Sequence, residues 1–311
     1  MAHIKVLLAT DGSDQATIAF TTAARLLRHA DSEFDLLCVA PEFYFPKGRA
    51  GKSAKRTARM AEAYDQRIQV EARQHLTHAQ SGLAALGVEA GMRVELGSPT
   101  RVITRLASEY DITVVGAHDK YTRSKPGLGP VASRVAAAAS GAVLIGRELG
   151  EDGRQWKILV AVDGSLASER ALEVLPSWLQ LAEAEISLLS VAETPWVKLG
   201  LEREWIDYSS GYGGGDDGPP LARSFKDELQ RETNAVVEHA RLRLESHGLS
   251  SAAITAEGDP ALEILDEAEN GEYDLIVIGA TGEDDLKHNL LGSVSTKVAQ
   301  AALCSMLIVK L

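Results

Sequence analysis

The chain has 311 residues, enough for two cores of about 150 residues each. Charged residues at 24%, hydrophobic ones at 45% and a formal net charge of −12 describe a globular protein without the basic surplus of a general nucleic-acid or anionic-membrane binder. No apolar run approaches the roughly 20 residues of a membrane span, and the two cysteines, Cys38 and Cys304, lie in apolar stretches of different halves, which favours buried free thiols in a reducing compartment and predicts a cytoplasmic protein.

In chain order, the first half alternates strand and helix. Strands are expected at 5–10, 34–40, 89–95, 112–115 and 142–145, with helices at 14–29, 58–86, 100–109 and 131–140. Such alternation implies a parallel sheet with right-handed crossovers and helices on both faces. The pattern then returns. Residues 4–16, IKVLLATDGSDQA, reappear as 156–168, WKILVAVDGSLAS, and Tyr110-Asp111 and Gly116 reappear as Tyr273-Asp274 and Gly279. The offset grows from 152 (163 − 11) to 163 (279 − 116), so eleven extra residues accumulate in the second copy. The expected domains are therefore 1–148 and 155–311, joined by a polar linker over 147–155.

Each copy carries a distinctive loop between its second strand and its long helix. The first, 41–60, is basic and contains Gly51-Lys52-Ser53; a P-loop would need glycine at position 46, which is Pro46, and no buried strand leads directly into it. It reads as a solvated basic loop, with contact to an anionic partner as the alternative. The second, 194–223, holds Trp196, Trp205, Tyr208 and the run SGYGGGDDGPP. A lid over a crevice, disorder, and packing against a neighbour all suit that composition.

The stretch 273–296, YDLIVIGATGEDDLKHNLLGSVST, concentrates the chemistry. Leu275-Ile276-Val277-Ile278 is the apolar run of a strand covered on both faces. Gly279 and Gly282 permit positive φ and close approach of a ligand, and Gly292-Ser293 opens a helix over 294–302. Free N–H groups at that helix start suit an anion such as phosphate. Ser293 and Ser295 each have two readings, helix cap or phosphate contact, and spacing favours the cap. Asp163-Gly164-Ser165 reads as a turn with a helix cap at Ser165, and Gly258-Asp259-Pro260 as a turn leading into a helix.

The arrangement Gly279-x2-Gly282-x9-Gly292-Ser293, with the strand before it and the segment LLGSVS, resembles the nucleotide loop of the ATP-binding branch of the universal stress protein (UspA-like) family. The resemblance covers nearly the whole chain. It implies two tandem doubly wound α/β units, each a five-stranded parallel sheet of order 3-2-1-4-5, with the ligand at the switch point between first and fourth strands. It also implies ATP with Mg²⁺ in the second unit. Adenine would lie against Val162 and the Val191 backbone, Asp163 and Gly279 would border the ribose, and Gly282, Gly292, Ser293, Val294 and Ser295 would hold the phosphates. Some ATP-binding relatives carry histidine where this chain has Thr281, which leaves that contact open. In the first unit Asp119 replaces Gly282 and Gly129-Pro130 replaces Gly292-Ser293. Repulsion and a lost backbone donor should make that copy a poor nucleotide site.

Single-unit relatives pair through their last strands, so the resemblance further implies an internal pseudo-dimer through 142–145 and 306–309, and leaves dimerisation of the whole chain open. Without a recognisable catalytic base, the expected role is a regulatory or sensor module in which bound ATP alters affinity for an as yet unidentified protein partner. A slow ATPase, a phosphoryl or adenylyl transferase, and a nucleotide-free scaffold are the alternatives. Lys287 and His288, preceded by Glu283, Asp284 and Asp285, read as solvated loop charges.

Overall fold

The computed structural model describes residues 3–27, 32–42, 52–118, 127–147, 155–181, 184–193, 220–282 and 291–311, and for 52–58 and 220–226 it describes the backbone only. Two compact units emerge, the first built chiefly from Met1–Leu149 and the second chiefly from Gly150–Pro176 and Leu181–Cys304.

In the first unit β1 (Ile4–Thr10), α1 (Asp14–Leu26), β2 (Ser32–Ala40), α2 (Lys52–Ala85), β3 (Ala90–Leu96), α3 (Pro99–Leu106), β4 (Ile112–Gly116), α4 (Pro130–Ala138) and β5 (Ala142–Gly146) follow one another. The sheet order is β3-β2-β1-β4-β5, and the pairings β1 with β2, β1 with β4, β2 with β3 and β4 with β5 are all parallel. The second unit repeats it with β6 (Trp156–Ala161), α5 (Leu166–Trp178), β7 (Ala184–Ala192), α6 (Pro220–Ser246), β8 (Ala252–Glu257), α7 (Pro260–Asn270), β9 (Leu275–Gly279), α8 (Ser293–Ala301) and β10 (Ser305–Val309). Its order is β8-β7-β6-β9-β10, with β6 parallel to both β7 and β9 and β7 parallel to β8. The expected α/β class and strand order 3-2-1-4-5 therefore hold in each unit.

The repeated lysine and aspartate of the sequence have a shared structural job. Asp111 Oδ2 accepts the Lys5 N–H at 2.8 Å, and Asp274 Oδ2 accepts the Lys157 N–H at 2.9 Å. In each unit this fixes the entry of the fourth strand beside the first. Every residue of β9 and of β10 is buried, which is why these strands read as unbroken apolar runs and not as alternating ones.

Several boundaries shift. The second helix starts at Lys52, so Lys52 and Ser53 belong to its first turn and not to a loop; Pro220 likewise opens α6, which takes 220–223 out of the expected lid. Helix propensity carries both ends outward, since the segments KSAKRTARMAEA and PLARSFKDEL contain no internal breaker. The rest of the lid, the loop charges at 283–288 and Asp119 lie outside the described residues.

Candidate nucleotide site

The site of the second unit grows from the ends of β6 and β9, neighbours through the register Ile158↔Leu275 to Ala161↔Ile278. Beyond β6, Gly164 takes φ +78. That turn brings the Ser165 N–H 3.0 Å from Asp163 Oδ1. The Ser165 hydroxyl accepts the Ser168 N–H at 3.2 Å, capping α5 as expected, and donates to the Thr281 carbonyl at 3.3 Å. One serine thus ties the first loop of the site to the second.

Gly279 is required by packing. A Cβ there would stand 2.8 Å from Ala167 C and 2.8 Å from Ser168 N, inside the backbone of α5. This corrects one expectation: Gly279 is not among the glycines with positive φ, and its missing side chain makes room for α5. Gly282 is also outside that set. A Cβ at Gly282 would lie 3.0 Å from Asp163 Oδ2, so the missing side chain leaves room beside an exposed carboxylate.

At the far side of the loop, the Gly292 N–H donates to the Ala280 carbonyl at 2.7 Å. Gly292 itself, at φ −68 and ψ 172, is the N-cap of α8 and supplies no side-chain capping bond. The serines therefore take other roles than the cap favoured by spacing. Ser293 is the exposed first residue of the helix, Val294 is half-buried, and Ser295 is 3% exposed. The Ser295 hydroxyl donates to Ala280 O at 2.7 Å, with Gly292 O at 3.1 Å. Its only proton is engaged there, so as placed the Ser295 hydroxyl has only acceptor lone pairs to offer.

Val162 is buried, with its N–H donated to Leu189 O at 2.9 Å, and Val191 is half-buried near the end of β7, opposite Ala256 of β8. Hydrogen bonds thus tie Ser165 to Asp163 and Thr281, and Gly292 and Ser295 to Ala280, with the space of the missing Gly282 side chain beside Asp163 and Gly279 packed against α5. Val162 and Val191 mark the ends of the adjacent strands.

The sequence reading missed one pair. Lys297, in the second turn of α8, places Nζ 2.8 Å from Asp259 Oδ2. Asp259 Oδ1 meanwhile caps α7 by accepting Ala261 N at 2.8 Å and Leu262 N at 3.3 Å. The Lys297 ammonium, followed by those backbone donors, holds the Asp259 carboxyl below its usual range, and Asp259 in turn raises Lys297. No spacing within a segment signals this pair, since its members stand 38 residues apart on different elements.

The first unit keeps the frame and differs at the helix start. Gly129 N donates to Ala117 O at 2.8 Å, as Gly292 does to Ala280, and a Cβ at Gly116 would strike the Gln15 backbone at 2.9 Å. Pro130 opens α4, however, which removes a helix-start donor, and Ala132 stands where the second unit has Ser295. The His75 ring lies against Gly12, where a Cβ would be 2.5 Å from its Cδ2. Among the described residues no cluster of His, Cys, Asp and Glu is arranged to hold a metal ion.

Comparison with known proteins agrees with the fold and the repeat. The model of the universal stress protein family matches residues 4–147 and again 156–310. Universal stress protein YxiE of Bacillus subtilis is 34% identical over 155 residues, half of this chain and 98% of its own length. A universal stress protein of Mycolicibacterium smegmatis is 26% identical over 249 residues, 77% of this chain and 76% of its own. Among solved structures, that of a universal stress protein from Archaeoglobus fulgidus superposes with a TM-score of 0.67 at 17% identity, covering 100% of this chain and 99% of that one, which is a likeness of fold alone. With its duplicated sheet, its matching loops and a family pattern found twice, the chain belongs to the universal stress protein family, as two such domains in tandem.

Proposed function

We propose that the second unit binds ATP with Mg²⁺ and serves as a regulatory sensor whose occupancy changes affinity for a protein partner. The observation that carries this reading is the loop from Gly279 to α8: an uncapped helix start at Gly292, with Gly282 leaving open the space next to Asp163. N–H groups of Ser293, Val294 and Ser295, together with the positive end of the α8 dipole, favour phosphate oxygens. Mg²⁺ supplies the charge neutralisation that lets phosphates lie near the Asp163 carboxylate, and needs few protein ligands to do so. Adenine fits the apolar ends of β6 and β7 at Val162 and Val191, and Asp163 faces the ribose. Thr281 adds its backbone, already tied to Ser165.

Calorimetric titration of the full chain with ATP and Mg²⁺, followed by chromatography of the nucleotide after long incubation, tests the proposal. One ATP per chain recovered intact is expected. Accumulating ADP with turnover replaces the sensor with an ATPase, and no binding leaves a protein scaffold. Gly282→Asp sets a second carboxylate beside Asp163 and should cost at least 100-fold in ATP affinity with the circular dichroism spectrum unchanged; normal affinity in that variant refutes the loop assignment.

A further inference from the structure

Among the described residues, the helix start offers a phosphate backbone N–H groups and the exposed Ser293 hydroxyl but no cation. Lys297 is placed to supply one. It follows Ser293 by four residues on α8, so the two share a face, one turn or about 5.4 Å apart along the axis. Helical side chains lean toward the N-terminus, and a lysine stem spans roughly one turn, which carries the ammonium back toward the first turn of the helix.

One ion pair places the ammonium. The Nζ sits 2.8 Å from Asp259, two residues past β8, and Lys297 also feels the charge of Glu193, the residue after β7. Both acids stand at the carboxyl end of the sheet, the end at which Asp163, Gly282 and Gly292 lie. The Lys297 side chain remains 59% exposed, so neither acid locks it in place, and exposed ion pairs of this kind contribute little to stability. The first unit has Arg134 at the matching position and Ser98 in place of Asp259. Only the second unit pairs its α8-type cation with an acid at that cap.

We propose that Lys297 is the phosphate-counting residue of the second unit, parked on Asp259 when the site is empty and transferred to the terminal phosphate of a nucleoside triphosphate when it is filled. The inference rests on the nucleotide reading of the same site. The exchange trades a carboxylate oxygen for a phosphate oxygen of higher charge and costs one solvated ion pair. Asp259 keeps its capping bonds to Ala261 and Leu262 throughout, through the other oxygen, so α7 does not unravel when Lys297 leaves.

The test is calorimetry on the full chain with ATP and Mg²⁺, AMP and adenosine as separate probes. Lys297→Met should lower ATP affinity about tenfold while adenosine affinity changes by less than twofold, and Lys297→Arg should restore most of the ATP preference. Asp259→Asn, which retains a capping oxygen, should raise ATP affinity about threefold because the lysine is no longer held. An unchanged ratio of ATP to adenosine affinity in Lys297→Met, or an equal loss for both ligands, overturns the proposal while leaving the nucleotide site intact. If the wild-type chain binds none of the three probes, the nucleotide reading itself fails and takes this inference with it.

Discussion

Single atoms decide what the glycines and serines of the loop do. At Gly279 an added methyl group would meet the α5 backbone at 2.8 Å, with no flexible side chain to move aside. Gly279→Ala should therefore destabilise the chain by about 1–3 kcal/mol, measured as a lower midpoint in urea. Ser295→Ala removes the donor to Ala280 and should cost about 1–2 kcal/mol for a buried carbonyl left with one partner fewer, visible in the same experiment, yet it should leave ATP affinity within about threefold because the backbone N–H survives. Lys310 is 7% exposed, and burial pushes its ammonium down to about 8. With the folded value below the unfolded one, the unfolded chain binds more protons between pH 8 and about 10.4, so this residue makes stability rise with pH across that window. Lys310→Met should be the more stable protein at pH 7 and lose that advantage above pH 10.5, as read from urea midpoints across the range.

Between elements, the repeated Tyr-Asp pairs fasten the fourth strand of each unit, but they do so differently. The Tyr110 hydroxyl donates to Asp35 Oδ2 of β2 at 2.8 Å, whereas that of Tyr273 reaches Glu267 Oε1 of α7 at 3.3 Å. Burial first, and the bond to Asp35 next, push the Tyr110 phenol up to about 12. A folded value above the unfolded 10.0 means that the stabilisation is complete below pH 10 and fades as pH rises toward 12. Tyr110→Phe should remove that part of the alkaline decline in thermal midpoint; an identical slope in the variant would show that the Tyr110 phenol does not contribute to it.

Across the whole molecule, the fold is written twice and the loop residues differ between the copies. Asp11 accepts the Ser13 N–H at 3.0 Å just as Asp163 accepts that of Ser165, so backbone geometry alone does not separate the units. Pro130, Ala132 and Asp119 do. Asp163→Ala should weaken ATP about tenfold and Asp11→Ala should leave it unchanged, with a stoichiometry of one per chain in both; a second bound nucleotide would refute the asymmetry. The sequence by itself determined the duplication, the α/β class and the difference between the two loops, because these rest on periodicity, glycine spacing and residue identity, all read along the chain, while the strand order came only as what the family resemblance implied. Only the tertiary structure decided that Gly279 yields to a helix, that the Ser295 proton is spent on Ala280, and that Lys297 meets Asp259. Each of those depends on which backbone or side chain arrives from 15 to 112 residues away, and spacing within a segment carries no record of what packs against it.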